Sequence, residues 1–254
     1  SYYDSSTVKE YWDNNQPSER QYPFFSELNN SIKIYPIASP SHLKISVYAN
    51  SKDGSKVLDD VHVNDLTSPS NEFVDFNVNS IIEKYNIKKD DVSSYGVKAE
   101  VIGSSKMPTR VGHQLVLGGG GLESSINTVL NNPNKFIPKG RKSMKWGQIV
   151  IGGGFDSFVG FAADSKENQE IEKHNVNIVY YNKTGKIKEK NVNVINGTSL
   201  KFSAEKELQD VINLEKLETP DYVWCIAESE KHGLNFFSCA KNKHTMHCSG
   251  DHGF

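Results

Sequence analysis

Arginine and cysteine are scarce in this chain. Of 254 residues, three are arginine (Arg20, Arg110 and Arg141) and three are cysteine. So few cysteines exclude a disulfide-dense scaffold. No Cys-x-x-Cys or His-Glu-x-x-His motif marks a built zinc site. An excess of one charge is lacking too. The 29 Lys and Arg against 31 Asp and Glu leave a net charge of −2, so no global field draws the molecule to nucleic acid or to an anionic membrane. No apolar run approaches the roughly 18 residues of a membrane span.

What is present is a folding composition. Hydrophobic residues make up 36%, with 12 Phe and 11 Tyr, which suits a globular chain with an aromatic-rich core. The length fits one large domain or two small ones. No linker or composition shift divides it, so a single domain over 1–254 is expected, with 241–254 as a tail that could be flexible. Short alternating segments rich in β-branched and aromatic residues read as strands; examples are Leu43–Ala49, Gly96–Ile102, Val176–Tyr181, Tyr222–Ala227 and Leu234–Cys239. Helices are expected at Val8–Asn14, Asn79–Tyr85, Leu122–Leu130 and Ala204–Leu214, and long loops at Asn50–Pro69 and Ser104–Arg110. The fold class is α+β and β-rich, with antiparallel sheets, a few short helices and a C-terminal hairpin.

Turn chemistry places two hairpins, at Asn182–Gly185 and Asn50–Gly54, where glycine accepts a positive φ. A third, through Lys231-His232-Gly233, would put Cys225 opposite Cys239. Opposite Cβ atoms lie about 4.5–5.5 Å apart, close to disulfide range, so a Cys225–Cys239 bridge competes with two reduced core thiols. Gln114-Leu-Val-Leu-Gly-Gly-Gly and Gln148-Ile-Val-Ile-Gly-Gly-Gly echo each other. Neither continues into a phosphate-loop or dinucleotide motif, so a duplicated strand-and-bend unit within one sheet is the expectation. Sequons at Asn29, Asn182 and Asn196 agree with a secreted chain. The chain begins with Ser1, as a processed mature form or a recombinant product would.

All three cysteines and half of the eight histidines fall in the last thirty residues. Imidazoles near neutral pH take and give protons, and arginine's fork matches phosphate. Metal-independent RNA cleavage needs a base for the ribose 2′-OH, an acid for the leaving oxygen and a cation at the phosphate. Glu10, His244, His247 and His252, with Arg110 and Arg141, supply those types. The basic stretch from Lys135 to Lys145 offers Lys139 and Lys142 to a polyanion, and Trp12 could stack on a base.

The layout of an early Glu10, late histidines and a late Cys248 resembles the nuclease subunits of yeast killer toxins, the zymocin-like γ-toxins, which are tRNA anticodon nucleases. The resemblance implies that Glu10 and one of His244, His247 or His252 are catalytic. It also implies RNA (tRNA) as substrate, no cofactor, and Cys248 as the tether to a carrier subunit. The near-neutral charge departs from that pattern. The expectation is thus a secreted, toxin-like, metal-independent ribonuclease. The alternative is a non-enzymatic β-sandwich that binds a glycan or a protein through aromatic, amide and hydroxyl side chains.

Overall fold

The computed structural model describes residues 17–37, 40–108, 110–119, 122–130, 143–163, 172–230, 234–245 and 247–253. Four antiparallel sheets of four strands each make up the fold. The first has the order β1 (Ser18–Pro23), β6 (Val92–Val101), β3 (Ser41–Ser51), β4 (Lys56–Ser68). The second runs β5 (Val74–Asn77), β2 (Asn29–Ile34), β7 (Val111–Gly119), β8 (Leu122–Leu130). The third runs β13 (Ser199–Ser203), β10 (Phe155–Ala163), β15 (Leu234–Asn242), β16 (Cys248–His252). The fourth runs β12 (Gly185–Ile195), β11 (Lys173–Asn182), β14 (Asp221–Ser229), β9 (Ser143–Ile151). Among the described residues, two short α-helices, α1 (Val78–Lys84) and α2 (Ala204–Leu208), and two 3-10 turns, Lys89–Asp91 and Leu214–Lys216, complete the regular elements.

Alternation decides which face each strand buries. In β11, His174, Val176, Ile178 and Tyr180 are buried while the residues between them are not. Two apolar cores result. The first gathers Tyr22, Ile32, Leu43, Tyr95 and Leu115 from the first two sheets; the second gathers Ile149, Phe161, Ile178 and Val223. β15 serves both. Its Leu234 and Phe236 enter the second core, and its Phe237 and Cys239 enter the first. A strand covered on both faces loses the polar alternation of a half-exposed one, and Leu-Asn-Phe-Phe-Ser-Cys is buried throughout, with Asn235 and Ser238 as its polar members.

Close approach to β15 is made by glycine. A Cβ on Gly147 of β9 would lie 2.1 Å from the Phe236 ring, and one on Gly253 would lie 2.6 Å from Phe236 Cβ. Only residues without a side chain let β9 and the chain end close over this phenylalanine.

The β-rich antiparallel class matches the sequence expectation, and α1 forms where Ile81 and Ile82 mark a helical face. The Asn182–Gly185 hairpin forms, with Gly185 at φ 122° and the Thr184 amide donating to Asn182 Oδ1 at 2.8 Å.

Several expectations are corrected. Leu122–Leu130 is strand β8, not a helix: Ile126, Thr128 and Leu130 are buried in alternation against β7. The long loop over Asn50–Pro69 is mostly the edge strand β4, whose polar side chains suit an exposed edge. The two echoing segments fall in β7 and β9, which lie in different sheets.

The C-terminal hairpin is β15–β16, not the expected pairing of β14 with β15. β14 sits between β11 and β9, whereas β15 sits between β10 and β16. A hairpin of β14 and β15 would pair these strands with each other; the observed order gives each strand other partners on both edges. Cys225 faces Tyr180 and Gly147 across its ladders, Cys239 faces Phe158 and Gly250, and no Cys225–Cys239 bridge exists. Residues 248–252, expected within a flexible tail, are strand β16 on the edge of β15.

Candidate functional site

The junction of β1, β15 and β16 assembles a cationic cluster. β16 brings His252 opposite Phe237 of β15. β1 brings Arg20, whose guanidinium lies over the Phe237 ring at 5.6 Å from its centroid. Its fork is held by two acceptors, the Val129 carbonyl at 3.3 Å and Asn235 Oδ1 at 3.1 Å. Among the described residues no carboxylate forms an ion pair with it, and its buried Nε has no hydrogen-bond partner. A part-buried guanidinium held only by neutral groups keeps its appetite for an anion.

His252 is half-buried. Its pKa is held below the histidine norm, chiefly by burial and then by the Arg20 charge; Asp251 acts in the opposite sense, and Lys145 of β9 adds to the lowering. The imidazole Nδ1 is 3.7 Å from Asp251 Oδ1. A histidine so placed is neutral at pH 7 and can accept a proton beside two positive charges. Gly147 is the local cause of the cluster's fourth strand, since it lets β9, and with it Lys145, close on β15.

Behind this cluster lies a buried polar pair. The Tyr22 hydroxyl and His113 Nε2 share a hydrogen bond. Burial pushes the His113 pKa down to about 3, so the ring is a neutral core member with no access to substrate.

The other sequence-derived site residues are distributed as follows. His244 lies in the turn after β15, exposed, with its ring against Gly154. His247 is exposed, and its amide donates to Thr245 Oγ1 at 3.4 Å. Arg110 is exposed just before β7 begins, and Arg20 holds the place beside the tail histidine. Glu10, Trp12, Lys139, Arg141 and Lys142 lie outside the described residues. Among the described residues no group of three or more His, Cys, Asp or Glu could hold a metal ion. Arg20 was open to recognition from the sequence as one of three arginines, yet no local pattern ties it to residue 252.

Two further surfaces carry chemistry. A hollow of about 530 Å3 is lined by Phe25, Phe158, Phe202, Lys52, Lys201 and Lys206. Burial lowers the Lys201 pKa to about 8. Its ammonium is already spent on the Phe24 and Val92 carbonyls, which makes it a brace.

The second surface is the outer face of the fourth sheet. Trp224 stands between Tyr181 and Gln148, and Ile226 between Val179 and Trp146. The two indoles meet at 5.4 Å, and Tyr222, Trp224 and Met144 are 50%, 41% and 53% exposed. Asn175, Asn177, Asn191 and Asn193 border this apolar centre. Among the described residues, the charges on this face are Glu228, Lys173, Glu189 and Lys186, and the last two pair with each other at 2.8 Å.

No protein-family model matches the chain. No curated protein matches it. Among solved structures, one match is the M60 catalytic domain with the CBM51-1 and CBM51-2 domains from Clostridium perfringens ZmpB, at 9% identity and a TM-score of 0.21. The match covers 85% of this chain and 33% of that one, so the chain spans about a third of its length. A likeness this slight defines no shared fold.

Proposed function

We propose that the protein is a metal-independent ribonuclease in which His252 exchanges the proton and Arg20 receives the phosphate. The observation that carries this reading is the neutral, half-buried His252 set beside the Arg20 guanidinium, with Lys145 adding positive charge. In RNA transesterification the neutral imidazole takes the 2′-OH proton, the freed oxygen attacks the adjacent phosphorus, and the 5′-oxygen leaves with a proton from an acid. Arg20 and Lys145 would stabilise the charge that builds on the phosphoryl oxygens. Glu10, implied by the killer-toxin resemblance, is the proposed acid. A tRNA is the proposed substrate class, and a secreted toxin the proposed setting.

The test is cleavage of tRNA in EDTA by the full chain. Discrete cleavage is expected, with His252→Ala and Arg20→Ala each reduced at least a hundredfold, and with His244→Ala and His247→Ala close to the parent. Cleavage that survives both Arg20→Ala and His252→Ala would reject the site.

One observation favours a second reading, glycan binding. The outer face of the fourth sheet combines exposed Trp224 and Tyr222 with an asparagine border and almost no net charge. Aromatic planes cover the apolar faces of sugar rings and amides bond their hydroxyls, whereas the lysines of this face, Lys186 and Lys173, are matched by Glu189 and Glu228 and offer a polyanion no net positive field. Retention on an insoluble neutral polysaccharide, lost in Trp224→Ala, supports this reading. Equal retention of parent and variant removes it.

A further inference from the structure

The pairing of the cysteines is decided by sheet order. β15 and β16 run antiparallel with Cys239 opposite Gly250 and Lys241 opposite Cys248. Residues opposite each other leave a sheet on the same face, and so do residues two further along. Cys239 and Cys248 are therefore diagonal neighbours on one face, the face that closes the first core. Cys239 belongs to that core and Cys248 packs against it. Gly250 offers no side chain to stand between them, and the room beside it is filled by Ile126, 2.8 Å from where a Cβ would be. The Cys248 thiol is within hydrogen-bonding reach of the Cys239 thiol. Cys225 is remote from both, buried in the second core.

We propose that Cys239 and Cys248 are a cross-linking site, joined by an intrachain disulfide that fastens the last strand to β15 while Cys225 stays a thiol. Diagonal Cα atoms lie about 7–8 Å apart, and a disulfide accepts up to about 6.8 Å, so closure asks for a shift of roughly an ångström. β16 can make it: it is a five-residue edge strand with a single ladder partner in its sheet.

The oxidant is a small-molecule disulfide such as oxidised glutathione. Cys248 is the half-exposed sulfur. It gives its proton to solvent and attacks one sulfur of the small disulfide, and a mixed disulfide forms as one small thiolate leaves and is protonated. Cys239 then loses its proton and attacks the Cys248 sulfur, and the second small thiolate leaves and is protonated in turn. Two protein thiols are oxidised, and the two electrons reside in two new small thiols. Burial keeps the Cys239 thiol protonated, which makes the second attack the slower one. The bond would pin the strand that carries His252, and it stands whether or not the nuclease reading does.

The full chain is held in a buffer of oxidised and reduced glutathione, alkylated under denaturing conditions without reductant, digested and weighed. A peptide pair linked through Cys239 and Cys248 and lighter by two hydrogens is expected, with Cys225 alkylated. Adding reductant is expected to lower the thermal midpoint by a few degrees in the parent and to leave Cys248→Ser unmoved. Three alkylated cysteines overturn the proposal. So does Cys248 joined to a second chain, as a carrier tether would require, or held as a glutathione adduct, or any link through Cys225.

Discussion

His113 and His252 are both held below the histidine norm, the first by nearly complete burial and the second by partial burial beside Arg20. For His113 the consequence is acid lability. Below the ordinary value of 6.5 the unfolded chain binds a proton that the folded ring refuses until about pH 3. Stability from this group is therefore complete above 6.5 and falls as pH drops through that window, by up to about 1.4 kcal/mol per pH unit. In urea titrations His113→Gln should show a flatter acid limb than the parent; an equally steep limb would mean that another group sets it. For His252 the consequence is kinetic. The base limb of tRNA cleavage should bend below pH 6.5, and Arg20→Gln should move the bend upward by removing the neighbouring charge. An unmoved bend would separate Arg20 from the histidine.

At the level of elements, the strands and hairpin with unambiguous local signals were legible. α1 follows from the 3.6-residue spacing of its apolar residues, and the 182–185 turn from Asn and Gly. β8 was not, because a glycine run followed by Glu and Ser imitates a helix start, while Ile126, Thr128 and Leu130 declare themselves as strand only once β7 lies alongside. The same pairing logic explains the missed β16: Cys-Ser-Gly-Asp-His has no strand propensity of its own and takes its form from the free edge of β15. Packing between elements gives a direct prediction. Gly147→Ala would thrust a methyl group into the Phe236 ring, costing about 1–3 kcal/mol. Urea unfolding should show a lower midpoint, and because Lys145 moves with β9, tRNA cleavage should weaken as well. Unchanged stability would mean that the ring gives way freely.

The whole molecule is organised by β15. Adjacent residues of this strand enter different cores, Phe236 the second and Phe237 the first. Truncation of either to alanine should cost about 3–5 kcal/mol, and because one strand belongs to both cores, damage to one should be felt by the other. Unfolding of Phe236→Ala and Phe237→Ala should stay a single transition, coincident by tryptophan fluorescence and by near-ultraviolet dichroism of the tyrosines. Separate transitions would show that the cores melt independently.

Composition and alternation by themselves determined the β-rich class, the aromatic core and the lack of a global field for a polyanion, because these depend on how many residues of each kind there are and on their local period. They also singled out the tail, since a concentration of imidazoles and thiols is visible without a fold. Which strand lies beside which was decided only by the tertiary structure. Sheet order separated Cys225 from Cys239, brought Cys239 to Cys248, and set Arg20 beside His252 across more than two hundred residues of chain. Hydrogen-bonding edges and buried faces are indifferent to sequence distance, and the partner that completes both is known only when the whole chain has folded.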